Sequence, residues 1–241
     1  MKPENRTLEI FEFFARERGA ASLTDIARGL KIPMSSCFNL VKTLRSLGFI
    51  YSVDGRKRFY PTRKLFDIAS VIIEHDPWMW RVGAELERLQ RSTHETVVFS
   101  KRQGDNVVFL KVLEGSHQIR FHAKAGDIVP LLSSAQGRAI LSQLPVQERE
   151  EIVNRMSLEK ITRSTITDRK QLLRILDQAE KTGHVVLHGE VIAELDAIAM
   201  AVKINGELHA IVIAGLASRV RRNLTKYKKQ LAACCRALAE P

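Results

Sequence analysis

Cysteine is scarce in this chain: Cys37, Cys234 and Cys235 are the three among 241 residues. An odd number cannot form a disulfide framework, and the adjacent pair sits in a helical pattern where bridging geometry is poor. They read as buried thiols of a reducing compartment. No CxxC pair with partner ligands occurs, so a structural zinc site is not expected. Long apolar runs are also missing. Nothing approaches the roughly 18 residues of a membrane helix, and the opening MKPENRTLEIFEFF lacks the unbroken apolar stretch of a secretory signal. A cytoplasmic protein with no membrane partner is expected. There is no Gly-rich phosphate loop and no Ser/His/Asp or Cys/His arrangement, so neither catalysis nor a cofactor is expected. Internal repeats and low-complexity segments are absent too. What remains is an ordinary folding composition, 45% hydrophobic, long enough for one large domain or two smaller ones.

The net charge of +11 is unevenly spread. Ser22 to Lys64 holds nine Lys/Arg against two acids, Asp25 and Asp54, and Leu216 to the end holds seven against one. The remainder is nearly balanced. Local basic blocks of this kind supply the electrostatics that bind phosphate. For the C-terminal block, RVRRNLTKYKKQ, an exposed helix face is the simpler reading.

Three helical patterns open the chain. Leu8, Ile10, Phe11, Phe13 and Phe14 surround a first helix ending near Gly19. Ser22 or Thr24 caps a second, with Asp25 placed for a capping box and Leu23, Ile26, Ala27 and Leu30 as its apolar stripe. After Pro33, with Ser35 or Ser36 as cap, a third carries Cys37, Leu40, Val41, Leu44 and Leu47 at the spacing of one buried face. Its opposite face holds Ser35, Ser36, Asn39, Lys42, Thr43 and Ser46, with no acid. Phe38 falls between the two faces, and spacing does not decide whether it touches a thymine methyl or completes the core. FIYSVDGRKRFYPT then predicts a hairpin turning at Asp54-Gly55, with Arg56, Lys57 and Arg58 after the tip. Three helices and a basic hairpin are the layout of a winged helix-turn-helix. A purely structural three-helix domain explains the stripes but not the acid-free face or the basic tip.

From Thr62 to Gln90 the pattern is helical, broken near Asp76-Pro77, with Trp78 and Trp80 at the junction as core or subunit contact. TVVFSKRQGDNVVFLKVL predicts two strands around residues 103–106, and HQIRFH a third. SSAQGRAILSQL, capped by Ser133 or Ser134, and VQEREEIVNRM predict helices. TDRKQLLRILDQAEKTG predicts another, capped by Thr167 and closed by Gly183. HVVLH, AIAMAVKI and ELHAIVIAG are strands, the last two joined at Asn205-Gly206, and a basic amphipathic helix ends the chain. Antiparallel strands with helices on their faces predict an α+β domain. On this reading residues 1–61 are the winged helix, 62–76 a linker helix and 77–241 the second domain.

These motifs, in this order, resemble the IclR family of bacterial transcriptional regulators, from about the first helix to the last. SLTDIARGLKIPMSSCFNLVKTLRSLGFI matches its DNA-binding segment, and FLKVLEGSHQIRFHAKAGDIVPLLSSAQGRAIL, TITDRKQLLRILDQAEKTG and LASRV match its effector domain. The resemblance implies an N-terminal all-α winged helix-turn-helix joined by a linker helix to a C-terminal α+β, GAF/profilin-like, effector-binding domain. It implies double-stranded operator DNA, a small-molecule effector and self-association as a homodimer or dimer of dimers as partners, and no catalysis. The matching recognition helix is the third. Ser35, Ser36, Asn39, Lys42 and Thr43 would face DNA, with Asn39 suited to adenine, while Lys42, Arg56, Lys57 and Arg58 would hold phosphates. Whether the effector releases or recruits the protein is not written in these residues.

The effector domain departs from the family pattern. Members that bind small carboxylates place an Asp, a Cys and two Ser around the ligand; here those positions read Leu187, Ala197, Val212 and Ala214. A small charged effector would lose its partners, which predicts a larger, more apolar or aromatic ligand. Polar contacts would come from the turn at 133–137, where Ser134, Ala135 and Gln136 are candidates, or from Glu190. The alternative is a site packed shut in a domain that only dimerises. His184 and His188, with Glu190 and Glu194 following, invite a metal, but residues four apart on a strand lie about 13 Å from each other. His188 and Glu190 remain as a ligand-contact pair or as separate hydrogen-bonded side chains. Against the regulator stands one competitor of another class: an α+β small-molecule-binding or enzymatic protein with a helical oligomerisation module.

Overall fold

The computed structural model describes residues 6–55, 57–75 and 79–239, without the side chains of Met79 and Trp80. Arg56, the break at Asp76-Pro77, Trp78 and the Trp80 side chain lie outside what is described. The chain forms two compact units, residues 1–77 and 78–241.

The first unit holds α1 (Arg6–Glu17), α2 (Leu23–Gly29) and α3 (Met34–Ser46), the hairpin β1 (Ile50–Val53) and β2 (Arg58–Pro61), and α4 (Lys64–Glu74). Its core joins Ile10, Phe13 and Phe14 of α1 to Ile26 and Ala27 of α2, Cys37, Val41 and Leu44 of α3, and Ile50 and Phe59 of the hairpin. Ser22 caps α2: its hydroxyl accepts from the Asp25 N–H while the Asp25 carboxylate accepts from the Ser22 N–H. The Ser22 hydroxyl also donates to that carboxylate, at 2.6 Å, and these bonds hold the Asp25 carboxyl below its ordinary range. Neither Ser35 nor Ser36 caps α3. Pro33, already extended at φ −58 and ψ 145, is the N-cap residue and makes no side-chain bond, so both serines fall inside the first turn. Leu47, expected in the stripe, is exposed at the end of α3, because the chain turns through Gly48 at φ +76 before the stripe completes another turn. Asp54 and Gly55, both at positive φ, start the hairpin turn.

The second unit contains α5 (Met79–Thr93), β3 (Thr96–Gln103), β4 (Asn106–Leu113), β5 (Ile128–Pro130), α6 (Ala135–Leu141), α7 (Val146–Arg155), α8 (Arg169–Thr182), β6 (Val185–His188), β7 (Leu195–Ile204), β8 (Glu207–Leu216) and α9 (Ala217–Leu238). The strands form one antiparallel sheet in the order β5-β4-β3-β8-β7-β6. Alternation along β7 and β8 assigns the faces. Ile198, Met200, Ile211 and Ile213 pack with Leu86 and Leu89 of α5 and Val220, Tyr227 and Leu231 of α9. Ala199, Ala210, Val212 and Ala214 turn the other way, toward Ala135, Ala139 and Ile140 of α6. Leu131, Leu141, Ile152, Val153, Leu172 and Leu176 then knit α6, α7 and α8 together. Burial pushes the thiols of Cys234 and Cys235 up to about 12, so both stay protonated inside this packing.

Two sequence expectations change here. HQIRFH is not a strand: Arg120 and His122 turn onto Glu114, at 2.8 Å each, and the Phe121 carbonyl accepts from the Thr96 hydroxyl. The third strand of the run is β5 instead. Asp168, not Thr167, caps α8 by accepting from the Lys170 N–H. Gly183 closes α8 at φ +73, and Asn205-Gly206 joins β7 to β8 with both residues at positive φ. No helix among the described residues is long and apolar enough to cross a membrane.

Candidate DNA-reading surface and effector cavity

The outward face of α3 follows from its buried one. With Cys37, Val41 and Leu44 committed to the core, Ser35, Asn39, Lys42 and Thr43 are exposed and Ser36 is half-buried. None of these five side chains has a hydrogen-bond or ionic partner among the described residues. The surface therefore carries donors and acceptors with nothing of the protein's own to satisfy them. Arg45, one turn beyond Lys42, is also exposed, with its guanidinium 3.5 Å from the Ser52 hydroxyl of β1. It bridges helix and hairpin, and the sequence reading passed over it although it lies three residues from Lys42. On the hairpin, Lys57 is exposed, whereas Arg58 donates through Nε to Asp54 at 2.8 Å. Arg58 is thus a paired cation at the tip.

The second unit encloses a cavity of about 670 Å³, measured to its open mouth, between the sheet and α6. Leu187, Ala197, Val212 and Ala214 line its sheet side, and Ser133, Ser134, Ala135, Gln136 and Glu190 lie around them. Val98, Phe109, Phe121 and Val129 complete an apolar wall that the sequence reading did not single out. The alanines of β7 and β8 make the room, since a branched side chain at each would fill it. The space has not packed shut.

Its electrostatics are closed off. Glu190 borders the cavity, but both carboxylate oxygens accept from the guanidinium of Arg138, at 2.8 and 2.7 Å, and one also accepts from the Ile166 N–H. Arg138 is 1% exposed and donates its Nε to the Leu132 carbonyl at 2.7 Å. Asp196 also borders the cavity, and its carboxylate accepts from Arg221 Nε at 2.8 Å and lies 2.6 Å from His188 Nδ1. Burial alone would push the Asp196 carboxyl up; Arg221 and His188 outweigh it and hold the group below the ordinary carboxylate range. His188 and Glu190 are therefore not a pair: each has its own charged partner. No Lys, Arg or His lies among the residues lining the cavity.

The turn from 131 to 137 shapes one wall. The Ser134 hydroxyl accepts from the Gly137 N–H at 3.2 Å, so it caps α6. Gly137 is packed against the preceding turn: a Cβ there would collide with the Leu131 carbonyl oxygen and sit 2.7 Å from its carbon.

A helix face of free polar groups beside a basic hairpin, joined in one chain to an α+β domain with a mostly apolar cavity, defines a ligand-binding transcriptional regulator of the winged helix-turn-helix class. Residues 5–54 match the IclR helix-turn-helix domain, and residues 76–240 match the domain described as bacterial transcriptional regulator IclR C-terminal. The chain belongs to the IclR family of transcriptional regulators, and so stands among regulators and not among enzymes. The HTH-type transcriptional repressor AllR of Klebsiella pneumoniae is 30% identical over 217 residues, covering 89% of this chain and 80% of the relative. The crystal structure of Thermotoga maritima IclR superposes with a TM-score of 0.82 at 23% identity, covering 97% of this chain and 96% of that one. An IclR homolog from Microbacterium hydrocarbonoxydans, complexed with 4-hydroxybenzoate, superposes with a TM-score of 0.69 at 20% identity, covering 96% and 100%.

Proposed function

We propose that the cavity takes a predominantly apolar, aromatic-sized metabolite without a strong negative charge, and that this effector modulates promoter binding by the winged helix. The observation that carries this reading is the chemistry of the walls: Leu187, Ala197, Val212 and Ala214 offer no polar contact, and both bordering carboxylates are already neutralised. A small dicarboxylate entering such a site would leave its charge unpaired, which costs several kcal/mol. One fold relative holds a single-ring aromatic, 4-hydroxybenzoate, which supports the ring size and, being a carboxylate, not the absence of charge. Ser133, Ser134 and Gln136 supply the orienting polar contacts. A thermal-shift panel of aromatic esters, amides and acids against small dicarboxylates tests the assignment. A matching ligand at 100 times its Kd stabilises the native state by about 2.7 kcal/mol, a rise of roughly 5–10 °C at this chain length. A rise with dicarboxylates alone would refute the reading.

In the DNA-reading arm, Ser35, Ser36, Asn39, Lys42 and Thr43 face the major groove, Lys57 and Arg58 lie toward phosphate, and Arg56 is assigned the same role from its sequence position alone. Asn39 is the base reader: its amide suits adenine N6 and N7, worth about 1–3 kcal/mol of discrimination. Asn39→Ala is expected to flatten base preference at one position per half-site, while Lys57→Ala weakens every sequence alike. Competition binding across single-base operator variants checks the split, and a uniform loss for Asn39→Ala contradicts it. The exposed apolar residues of α4, among them Phe66, Val71, Ile72 and Ile73, support a homodimer formed at the linker helix. An effector that prefers one arrangement of such a dimer shifts its population, and with it the spacing of the two winged helices.

A further inference from the structure

We propose that Phe38, with Met34 beside it, reads a thymine methyl group in the major groove and is a specificity-determining residue of this regulator. The proposal rests on the assignment of α3 as the DNA-reading helix and adds to it a contact of different chemistry.

Phe38 is 52% exposed and Met34 47% exposed, although both are large and apolar and the core of this unit lies one helix face away. Phe38 therefore does not complete the core. Met34, Phe38 and Lys42 stand at i, i+4 and i+8, so they form one row along α3. Ser35, Asn39 and Thr43 form the neighbouring row with the same period. Successive members of each row are separated by about 6 Å of helix rise. The outward surface of α3 is thus a polar row beside a row of two apolar residues that ends in Lys42, neither bearing an acid. Phe38 shares the lining of a shallow cleft with Leu23, Val41, Lys42, Arg45 and Phe59, two of which are cations.

The major-groove edges of the bases carry one kind of apolar group, the C5 methyl of thymine, and apolar side chains including Phe are its usual partners. A polar row beside an apolar row on one reading helix matches an adenine next to a thymine on the same groove wall. Phe38 is the stiffer of the two apolar residues. It supplies the contact, while Met34 stands one turn before it on the same row.

The test uses the full-length protein. A preferred duplex is selected from a random pool, and each thymine of each half-site is replaced in turn by deoxyuridine, which removes only the methyl group. The expected result is a loss of about 4-fold at one position per half-site, the worth of burying roughly one methyl group. Phe38→Ala binds the unmodified duplex about 4-fold more weakly and is indifferent to deoxyuridine at that position; Asn39→Ala keeps the deoxyuridine penalty. Phe38→Ala retains a melting temperature near that of the parent, because half the side chain is already in solvent. A flat deoxyuridine scan, or a penalty that survives Phe38→Ala, overturns the role of Phe38 and leaves α3 as the reading helix. A changed sedimentation coefficient for Phe38→Ala together with a flat scan assigns Phe38 to a second copy of the chain and likewise overturns it. A pool that yields no enriched sequence removes the assignment of α3 itself, and the proposal with it.

Discussion

Glu190→Ala is expected to lower the unfolding free energy by about 3–5 kcal/mol, because it strands the buried guanidinium of Arg138 without its counter-charge. Arg138 is 1% exposed and Glu190 5% exposed, so solvent does little to screen the orphaned cation. The Leu132 carbonyl remains as an acceptor for Nε, but the two terminal nitrogens lose bonds of 2.8 and 2.7 Å, and the Ile166 N–H loses its acceptor. Urea unfolding of parent and variant measures the loss. The double variant Arg138→Met with Glu190→Leu is the informative companion: removing both charges and keeping the volume is expected to return most of the stability. A single variant costing less than about 1 kcal/mol would show that water or a local rearrangement satisfies Arg138.

For Gly137→Ala the sign of the effect is the test. In an unobstructed helix interior, replacing Gly by Ala stabilises by roughly 0.5–1 kcal/mol. Here the new Cβ meets the Leu131 carbonyl and lies 2.8 Å from the Ser134 hydroxyl that caps α6, so backbone must move. The expected outcome is a destabilisation of about 1–3 kcal/mol. Ser133, Ser134 and Gln136 sit on the displaced turn, so the rise in melting temperature produced by an effector is expected to shrink with it. Stabilisation by Gly137→Ala would mean that the turn has slack.

Local signals carried much of this fold. Ser22 and Asp25 announce their capping box three residues apart, and Asp54-Gly55 and Asn205-Gly206 announce turns that need positive φ. The cavity-lining positions Leu187, Ala197, Val212 and Ala214 were legible through the family pattern, because strand alternation keeps such positions on one face. The errors arose where a local pattern competes with contacts made from afar. HQIRFH has the composition of a strand, yet Glu114, Thr96 and Arg219 draw off its side chains and carbonyls. Thr167 and Asp168 are both plausible caps, and only the folded backbone selects Asp168. Arg138 and Glu190 are 52 residues apart, as are many unrelated residue pairs, and neither position advertises burial. That pair leaves Glu190 at the cavity wall with both carboxylate oxygens already bonded within the protein.

The internal neutralisation of Glu190 and Asp196 separates the two halves of the molecule with respect to ionic strength. Operator binding through cations displaces counterions from DNA, so its equilibrium constant falls as a power of salt concentration. An uncharged effector of the kind proposed, entering a cavity whose carboxylates are already matched, would capture no net charge, so no such power law would govern its uptake. Any salt dependence of the ratio between the operator affinities of the effector-free and effector-bound forms would then report a change in the number of phosphates the winged helices neutralise, and not the charge of the effector.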